Sequence, residues 1–311
     1  PRALSQLKRW IAIEGATLVH AHDYKSSAMV ALAGNEAARI ATLHGRVATD
    51  WKLRLYEALE ARIVRSFERV ICVSEPMRTA ETRPGFAPVV IPNGIHLDPF
   101  LAPRAPDPAR RAELGLSPET EVVGSVGRLS AEKGFESLLG AVARLAPERP
   151  GLHLLLIGEG AERSALTARA RALGIADRVH LPGLKPDLAD WYPLFDVFCM
   201  TSHREGLPLV LLEALAAGRP ALVTPVGGIP GVIGASPPVA WTFAPGDERD
   251  LAQKLAQLLT DADLRRSLGA AGRARVVEHF SRRTMARATA ALYDQVRRER
   301  ASAARNGEGD A

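Results

Sequence analysis

EVVGSVGRLSAEKGFESLLGAVARL, residues 121–145, decides the fold. Glu121–Val126 is an apolar run of strand length, and Phe135–Leu145 repeats its apolar residues with the period of a helix. A second strand-like run, His153–Ile157, leads into a helical pattern over Ala161–Leu173. Strand, helix, strand and helix in this order make a βαβ unit, which requires a parallel sheet.

The same alternation extends outward in both directions. Downstream come strand Val179–Leu181, a helical turn over Asp187–Leu194 and strand Val197–Met200, then helix Pro208–Ala217 and strand Ala221–Thr224. Helices over Asp247–Leu259, Ala262–Glu278 and Ser281–Arg300 follow. Upstream, helix Ala3–Glu14 precedes strand Thr17–His20, and helix Ser26–Ala33 precedes strand Arg39–Leu43. A long helix over Asp50–Ser66 then leads to strands Arg69–Val73 and Val89–Ile91. Residues 96–119 change character, with Pro99, Pro103, Pro106, Pro108 and Pro118 and one short helix around Pro108–Leu114, and read as a linker.

The expectation is an α/β protein of two Rossmann-like parallel-sheet domains facing across a cleft. The first spans 1–97, the second spans 98–281, helix 282–299 returns to the first, and 300–311 is a disordered tail. The sequence begins at Pro1 with a helix already under way, so the first domain reads as incomplete. In doubly wound sheets, ligands bind outside the carboxyl ends of the strands.

Composition narrows the function. The chain has 311 residues, 47% hydrophobic and 24% charged, as in an ordinary globular protein. The net charge is +5, but no basic block is interleaved with aromatics, which argues against nucleic acid. Cys72 and Cys199 lie in apolar, strand-like runs and make neither a disulfide framework nor a zinc site. This implies a reducing, cytoplasmic compartment.

Three strand-end loops carry chemistry. Gly127-Arg128-Leu129, with Lys133-Gly134, sets two cations at the mouth of a helix. Gly127 permits close backbone approach, and cations beside a helix N-terminus suit a diphosphate. Arg128 alone says little among 34 arginines, whereas Lys133 is one of only six lysines. The second loop reads EGLPLVLLE, residues 205–213. Glu213 is the lone charge on an apolar helix, where a carboxylate needs partners, either an arginine or the vicinal hydroxyls of a ligand. Pro208 fits the first helical turn, which leaves the N–H groups of Leu207 and Leu209 for phosphate oxygens. The third loop, Gly227-Gly228-Ile229-Pro230, has the form of a tight turn or of backbone close to a ligand.

With Ile91-Pro92-Asn93-Gly94-Ile95, Cys72-Val73-Ser74 and His44-Gly45, these motifs resemble in order and spacing the group 1, family 4 glycosyltransferases of GT-B fold. The resemblance runs from about residue 15 to 299. It implies a retaining, metal-independent transfer of a sugar from a nucleoside-diphosphate donor, a UDP or GDP sugar, to a saccharide or lipid-linked acceptor. By family habit this serves the cell envelope or an exopolysaccharide. The donor is a substrate, and no cofactor is expected. Arg128 and Lys133 would hold the diphosphate, Glu205 the transferred sugar and Glu213 the ribose. Gly127, Gly206, Leu207, Pro208 and Leu209 would complete the phosphate site. His44, from the first domain, would lie near sugar and phosphate, and Leu184 near the base. A lipid-linked acceptor would bring a peripheral membrane contact through the first domain. The sequence departs from the family pattern at His96, usually Asp, and at Gly231, usually Glu. Two rival readings stand beside this one: a sugar-nucleotide 2-epimerase of the same fold, and a catalytically silent nucleotide-sugar-binding fragment.

Overall fold

The computed structural model describes residues 2–34, 36–45, 51–102, 104–234, 236 and 239–307. Two compact units emerge, the first from residues 1–93 with 283–311 and the second from 94–282. The divisions fall close to the sequence boundaries at 97 and 281. Backbone bonds set them: Ile95 N–H donates to Phe280 O at 2.9 Å and Arg282 N–H donates to Ile95 O at 2.8 Å, which ties the start of the second unit to its end.

The first unit contains α1 (Arg2–Ile13), β1 (Leu18–Ala21), α2 (Tyr24–Ala33), β2 (Ala38–Leu43), α3 (Trp51–Ile63), β3 (Arg69–Cys72), α4 (Glu75–Glu81) and β4 (Val89–Val90). The strands form one parallel sheet in the order β1-β2-β3-β4. Asp23 caps α2 by accepting from the N–H groups of Lys25 and Ser26, each at 2.8 Å, so this helix starts at once after β1.

The second unit contains α5 (Asp98–Leu101), α6 (Pro108–Glu113), β5 (Glu121–Val126), α7 (Phe135–Leu145), β6 (Leu152–Ile157), α8 (Arg163–Ala172), β7 (Val179–His180) and β8 (Val197–Met200). It continues with α9 (Leu209–Ala216), β9 (Ala221–Val223), α10 (Ile229–Ile233), β10 (Trp241–Thr242), α11 (Glu248–Thr260) and α12 (Ala262–His279). Its sheet is parallel, in the order β10-β9-β8-β5-β6-β7. The reversal of direction between β5 and β6 on one side and β8 on the other places a switch point where the β5 and β8 loops emerge. The core is apolar on both sheet faces, as buried parallel strands require, and Leu138, Leu139, Leu154, Leu156, Leu251 and Leu255 are fully buried in it.

Two local expectations need correction, and one strand was not foreseen. The tail is helical as far as the structure describes it, because α13 runs over Arg282–Gly307. Ala301, Ala303 and Arg305 favour helix, and no proline interrupts them; residues 308–311 lie outside the described residues. Pro208 is the N-cap of α9 rather than part of its first turn, with φ −74 and ψ 116. The sixth strand, β10, follows a stretch rich in Pro and Gly and carries only Trp241 and Thr242, too short a run to show periodicity.

Helix α13 belongs to the first unit. Leu292 and Val296 are buried against Ile40 and Ile71 of its sheet, and Arg69 forms an ion pair with Glu299 at 2.6 Å.

Candidate functional site

The loops at the carboxyl ends of β5, β6, β8 and β9 lock into one another. Gly127 N–H donates to Ile157 O at 3.0 Å, and Leu129 N–H donates to Glu159 O at 2.9 Å. A Cβ on Gly158 would stand 1.9 Å from Gly127 O, so only glycine fits there. His203 N–H donates to Glu132 O and Thr201 Oγ1 to Lys133 O, both at 2.8 Å, which joins the β8 loop to the β5 loop. Thr224 Oγ1 donates to Ser202 O at 2.6 Å and Gly228 N–H to Gly206 O at 2.7 Å, which adds the β9 loop. Gly227 sits at φ 55, and a Cβ there would stand 1.9 Å from Glu205 O. The first of the two glycines is thus required by the backbone of the Glu205 loop.

The charged side chains are compensated within this framework. Lys133 Nζ donates to Glu205 Oε1 at 2.7 Å, and Ser202 Oγ donates to the same oxygen at 2.6 Å. Both partners are largely covered, with side-chain exposures of 18% for Lys133 and 9% for Glu205. The two residues assigned from sequence to phosphate and to sugar therefore hold each other. Arg128 is 62% exposed and reaches Glu132 Oε1 at 2.5 Å. Glu213 receives the Tyr192 hydroxyl at 2.8 Å, and no cation pairs with it among the described residues. Burial raises the Glu213 carboxyl above its ordinary range, and the Tyr192 bond works against that shift. Tyr192 is itself fully buried, and burial together with Glu213 pushes its phenol well up. The first intrahelical bond of α9 is Leu211 N–H to Pro208 O at 3.3 Å, so the N–H groups of Leu209 and Val210 precede the helical ladder. Leu207 is buried, Leu209 is exposed, and Leu184 is the most exposed of the three. Gly183 O accepts from Gly158 N–H at 3.0 Å, which places the Leu184 loop beside the β6 loop.

Sequence reading missed that β6 loop, Gly158-Glu159-Gly160, although a Gly-x-Gly directly after a strand was the available signal. It also missed two of three histidines in the first unit. His44 Nε2 lies 3.3 Å from His22 Nδ1, and the His20 and His22 ring centroids lie 4.2 Å apart with their planes tilted by 31°. His20 shares hydrogen bonds with Tyr293 of α13 at 2.6 Å and with Thr42 Oγ1 at 2.8 Å. Burial first, then the neighbouring imidazoles, lowers His20 to about 4, and burial likewise lowers His44. The His-Ala-His-Asp string at the end of β1 was the readable sign. Among the described residues, no group of three or more His, Cys, Asp or Glu side chains is arranged to hold a metal ion. Cys72 and Cys199 are buried and form no disulfide.

Two parallel-sheet units, one with interlocked strand-end loops that carry two cations, a helix N-terminus and half-buried carboxylates, define a doubly wound α/β protein of GT-B type. The chain belongs to the group 1 glycosyltransferases: residues 107–275 match the family model Glycosyl transferases group 1, and residues 1–99 match Glycosyltransferase Family 4. It is 37% identical over 191 residues to the D-inositol 3-phosphate glycosyltransferase of Segniliparus rotundus, covering 59% of this chain and 41% of that one. It is 31% identical over 215 residues to the lipopolysaccharide core biosynthesis mannosyltransferase LpsB of Rhizobium meliloti, covering 67% and 61%. The chain thus spans less than two thirds of the length of these relatives. The solved sucrose-phosphate synthase of Thermosynechococcus elongatus superposes with a TM-score of 0.83 at 26% identity, over 95% of this chain and 77% of that one.

Proposed function

We propose that this protein transfers a sugar, with retention of configuration, from a nucleoside-diphosphate donor to a saccharide or lipid-linked acceptor. The proposed setting is cell-envelope or exopolysaccharide synthesis, in the cytoplasm and peripherally at the inner face of the membrane. The relatives named as glycosyl- and mannosyltransferases support the reaction class. The observation that carries the reading is the Lys133–Glu205 pair at 2.7 Å, beside the N-terminus of α9 and on the same interlocked loops as Arg128. A diphosphate entering there takes over Lys133 and Arg128. Glu205, released from Lys133 but still held by Ser202, is then free to accept hydrogen bonds from the transferred sugar.

The leaving diphosphate develops charge as the glycosidic bond breaks. Lys133, Arg128 and the amides of Leu209 and Val210 meet that charge with groups already in place, which is where electrostatic catalysis has its largest effect. These cations supply the positive charge, so the reading requires no metal. The departing phosphate oxygen takes the acceptor's proton on the same face of the sugar. This same-face route is preferred to a double displacement with Glu205 as nucleophile, because Ser202 still holds Glu205 Oε1 once Lys133 has turned to the diphosphate. Glu213, half-buried and without a cation among the described residues, accepts from the ribose hydroxyls. His44, kept neutral, can exchange one hydrogen bond with a sugar hydroxyl.

A thermal-shift screen of UDP, GDP and ADP sugars tests the reading, since a bound donor stabilises the folded state by mass action. One nucleotide series is expected to raise the melting temperature, with donor consumed only when an acceptor is present. Conversion of the donor to an epimer without acceptor would move the assignment to the 2-epimerase. A shift with no donor consumed by any acceptor would leave the silent nucleotide-sugar-binding fragment, and no shift with any donor would overturn the donor-binding reading.

A further inference from the structure

At the amino ends of β8 and β9 lies a cavity of about 480 Å³, whose walls include Phe100, Pro193, Arg219, Gly269 and Arg273. Every residue that lines it belongs to the second unit. Pro193 precedes β8, and residues 217–219 lie between α9 and β9, so the cavity sits at the opposite edge of the sheet from the Lys133 and Glu205 loops. The eight residues of α9 hold the two places apart, by about 12 Å at the rise of an α-helix. Gly269 lets α12 close on this end of α9, since a Cβ there would stand 2.2 Å from Gly218 O. Arg273 follows one turn later on the same face of α12.

Three of the lining residues are arginines and none is acidic. Arg104 is held by Asp190, which also accepts from Arg110 Nη2 at 3.1 Å, so two cations share one carboxylate. Arg219 and Arg273 are half-buried and have backbone partners instead. Arg219 donates to Phe195 O at 3.2 Å and to Ala217 O at 3.3 Å, and Arg273 donates to Leu101 O. Neither forms an ion pair with a carboxylate among the described residues. Burial lowers the pKa of Arg219 against the attraction of Asp196, whose Oδ2 is already taken by Val122 N–H at 2.8 Å. A guanidinium withdrawn from water with only carbonyl partners gains from an anion that enters beside it. All the other lining residues are Pro, Phe, Ala or Gly, which offer no side-chain hydroxyl, amide or carboxylate.

We propose that this cavity is a second ligand site, which binds a small organic phosphate with an apolar body and does so together with the donor. The phosphoryl group lies with Arg219 and Arg273, whose planar forks suit phosphate oxygens. The body lies against Phe100, Pro99 and Pro193. The volume suits a small molecule, and walls without hydroxyls or amides would leave the groups of a polyhydroxylated ligand unpaired. The site stands apart from the donor reading, because α9 separates it from the strand-end loops.

Calorimetry of the full chain with phenyl phosphate, run with and without UDP and GDP, tests the proposal. One phenyl phosphate is expected to bind per chain, and neither nucleotide is expected to displace it. Inorganic phosphate, which lacks the body, and glucose 6-phosphate, whose body is hydroxylated, are each expected to bind about tenfold more weakly. Arg273→Gln is expected to weaken phenyl phosphate about tenfold or more. Ala270 is exposed on α12 at the cavity wall. Ala270→Phe removes no bond and fills the space, and is expected to abolish phenyl phosphate binding while circular dichroism and the melting temperature stay unchanged. No binding of phenyl phosphate, or undiminished binding in Ala270→Phe, overturns the site. Displacement by UDP or GDP does so as well, since the phosphate would then occupy the donor loops. Glucose 6-phosphate binding as tightly as phenyl phosphate overturns the apolar body. Phenyl phosphate bound without any UDP or GDP binding sinks the donor reading alone, and the converse sinks the second site alone.

Discussion

The two units leave different things uncovered. The second unit buries a continuous apolar core on both faces of its six-stranded sheet. Among its described residues only Leu184, Leu209 and Val277 are large, apolar and exposed, and the first two sit on the proposed donor loops. The first unit divides its core into three smaller clusters and exposes apolar side chains along the outer faces of its helices. Its titratable groups differ as well. The second unit sets opposite charges against each other at Lys133–Glu205 and Arg128–Glu132, whereas the first gathers three histidines, of which burial lowers the pKa of His20 and His44. A self-contained unit with compensated charges at its strand ends suits a small anionic ligand that can exchange into the pairs. A unit with uncovered ring and aliphatic surface suits an extended partner.

The largest expected effect comes from breaking the interlock of the second unit. Gly227→Ala forces a Cβ against Glu205 O in a backbone conformation that alanine resists, and is expected to cost roughly 3 kcal/mol. Chemical denaturation should show the loss, with donor binding lost as well. Arg128→Ala should leave the denaturation midpoint nearly unchanged, and Arg128→Ala and Lys133→Ala should both weaken nucleoside-diphosphate binding, each by about 1.5–3 kcal/mol. Lys133→Ala should be the more damaging to the fold, because it strands the covered Glu205. Unchanged affinity in both variants would remove the diphosphate assignment.

The smallest effect distinguishes the first unit by pH. An unfolded imidazole takes up a proton near 6.5, whereas folded His20 holds off until about 4. Unfolding therefore binds protons between those values, and the stability it contributes is complete above the upper value and falls away as pH drops toward the lower. Thermal melts across that window should show a slope that His20→Asn makes shallower. An identical slope in the variant would deny His20 this part.

Much of the second unit was legible because its signals are local. Alternation of apolar runs fixed the parallel sheet, and Gly127, Lys133 and the Glu205–Glu213 spacing marked the loops. What the sequence hid depends on distance. That Lys133 and Glu205 pair, that Tyr192 rather than an arginine meets Glu213, and that Gly227 answers to Glu205 O are all contacts across loops from separate strands. No periodicity reports such contacts. The histidine cluster joins β1, β2 and α13, and His20 reaches a tyrosine 273 residues away. The helical tail was misread because small polar residues are common to loops and to solvent-exposed helices alike.

The central claim is that the second unit holds a donor, with separate carboxylates for its two ends, and calorimetry of Glu213→Gln and Glu205→Gln tests it most directly. Glu213→Gln should weaken both the free nucleoside diphosphate and the nucleotide sugar about tenfold or more, since a charge-assisted bond to ribose is lost in each. Glu205→Gln should leave the free nucleoside diphosphate nearly unaffected and lower turnover with the full donor. Equal losses of nucleoside-diphosphate affinity in both variants, or none in Glu213→Gln, would contradict the account.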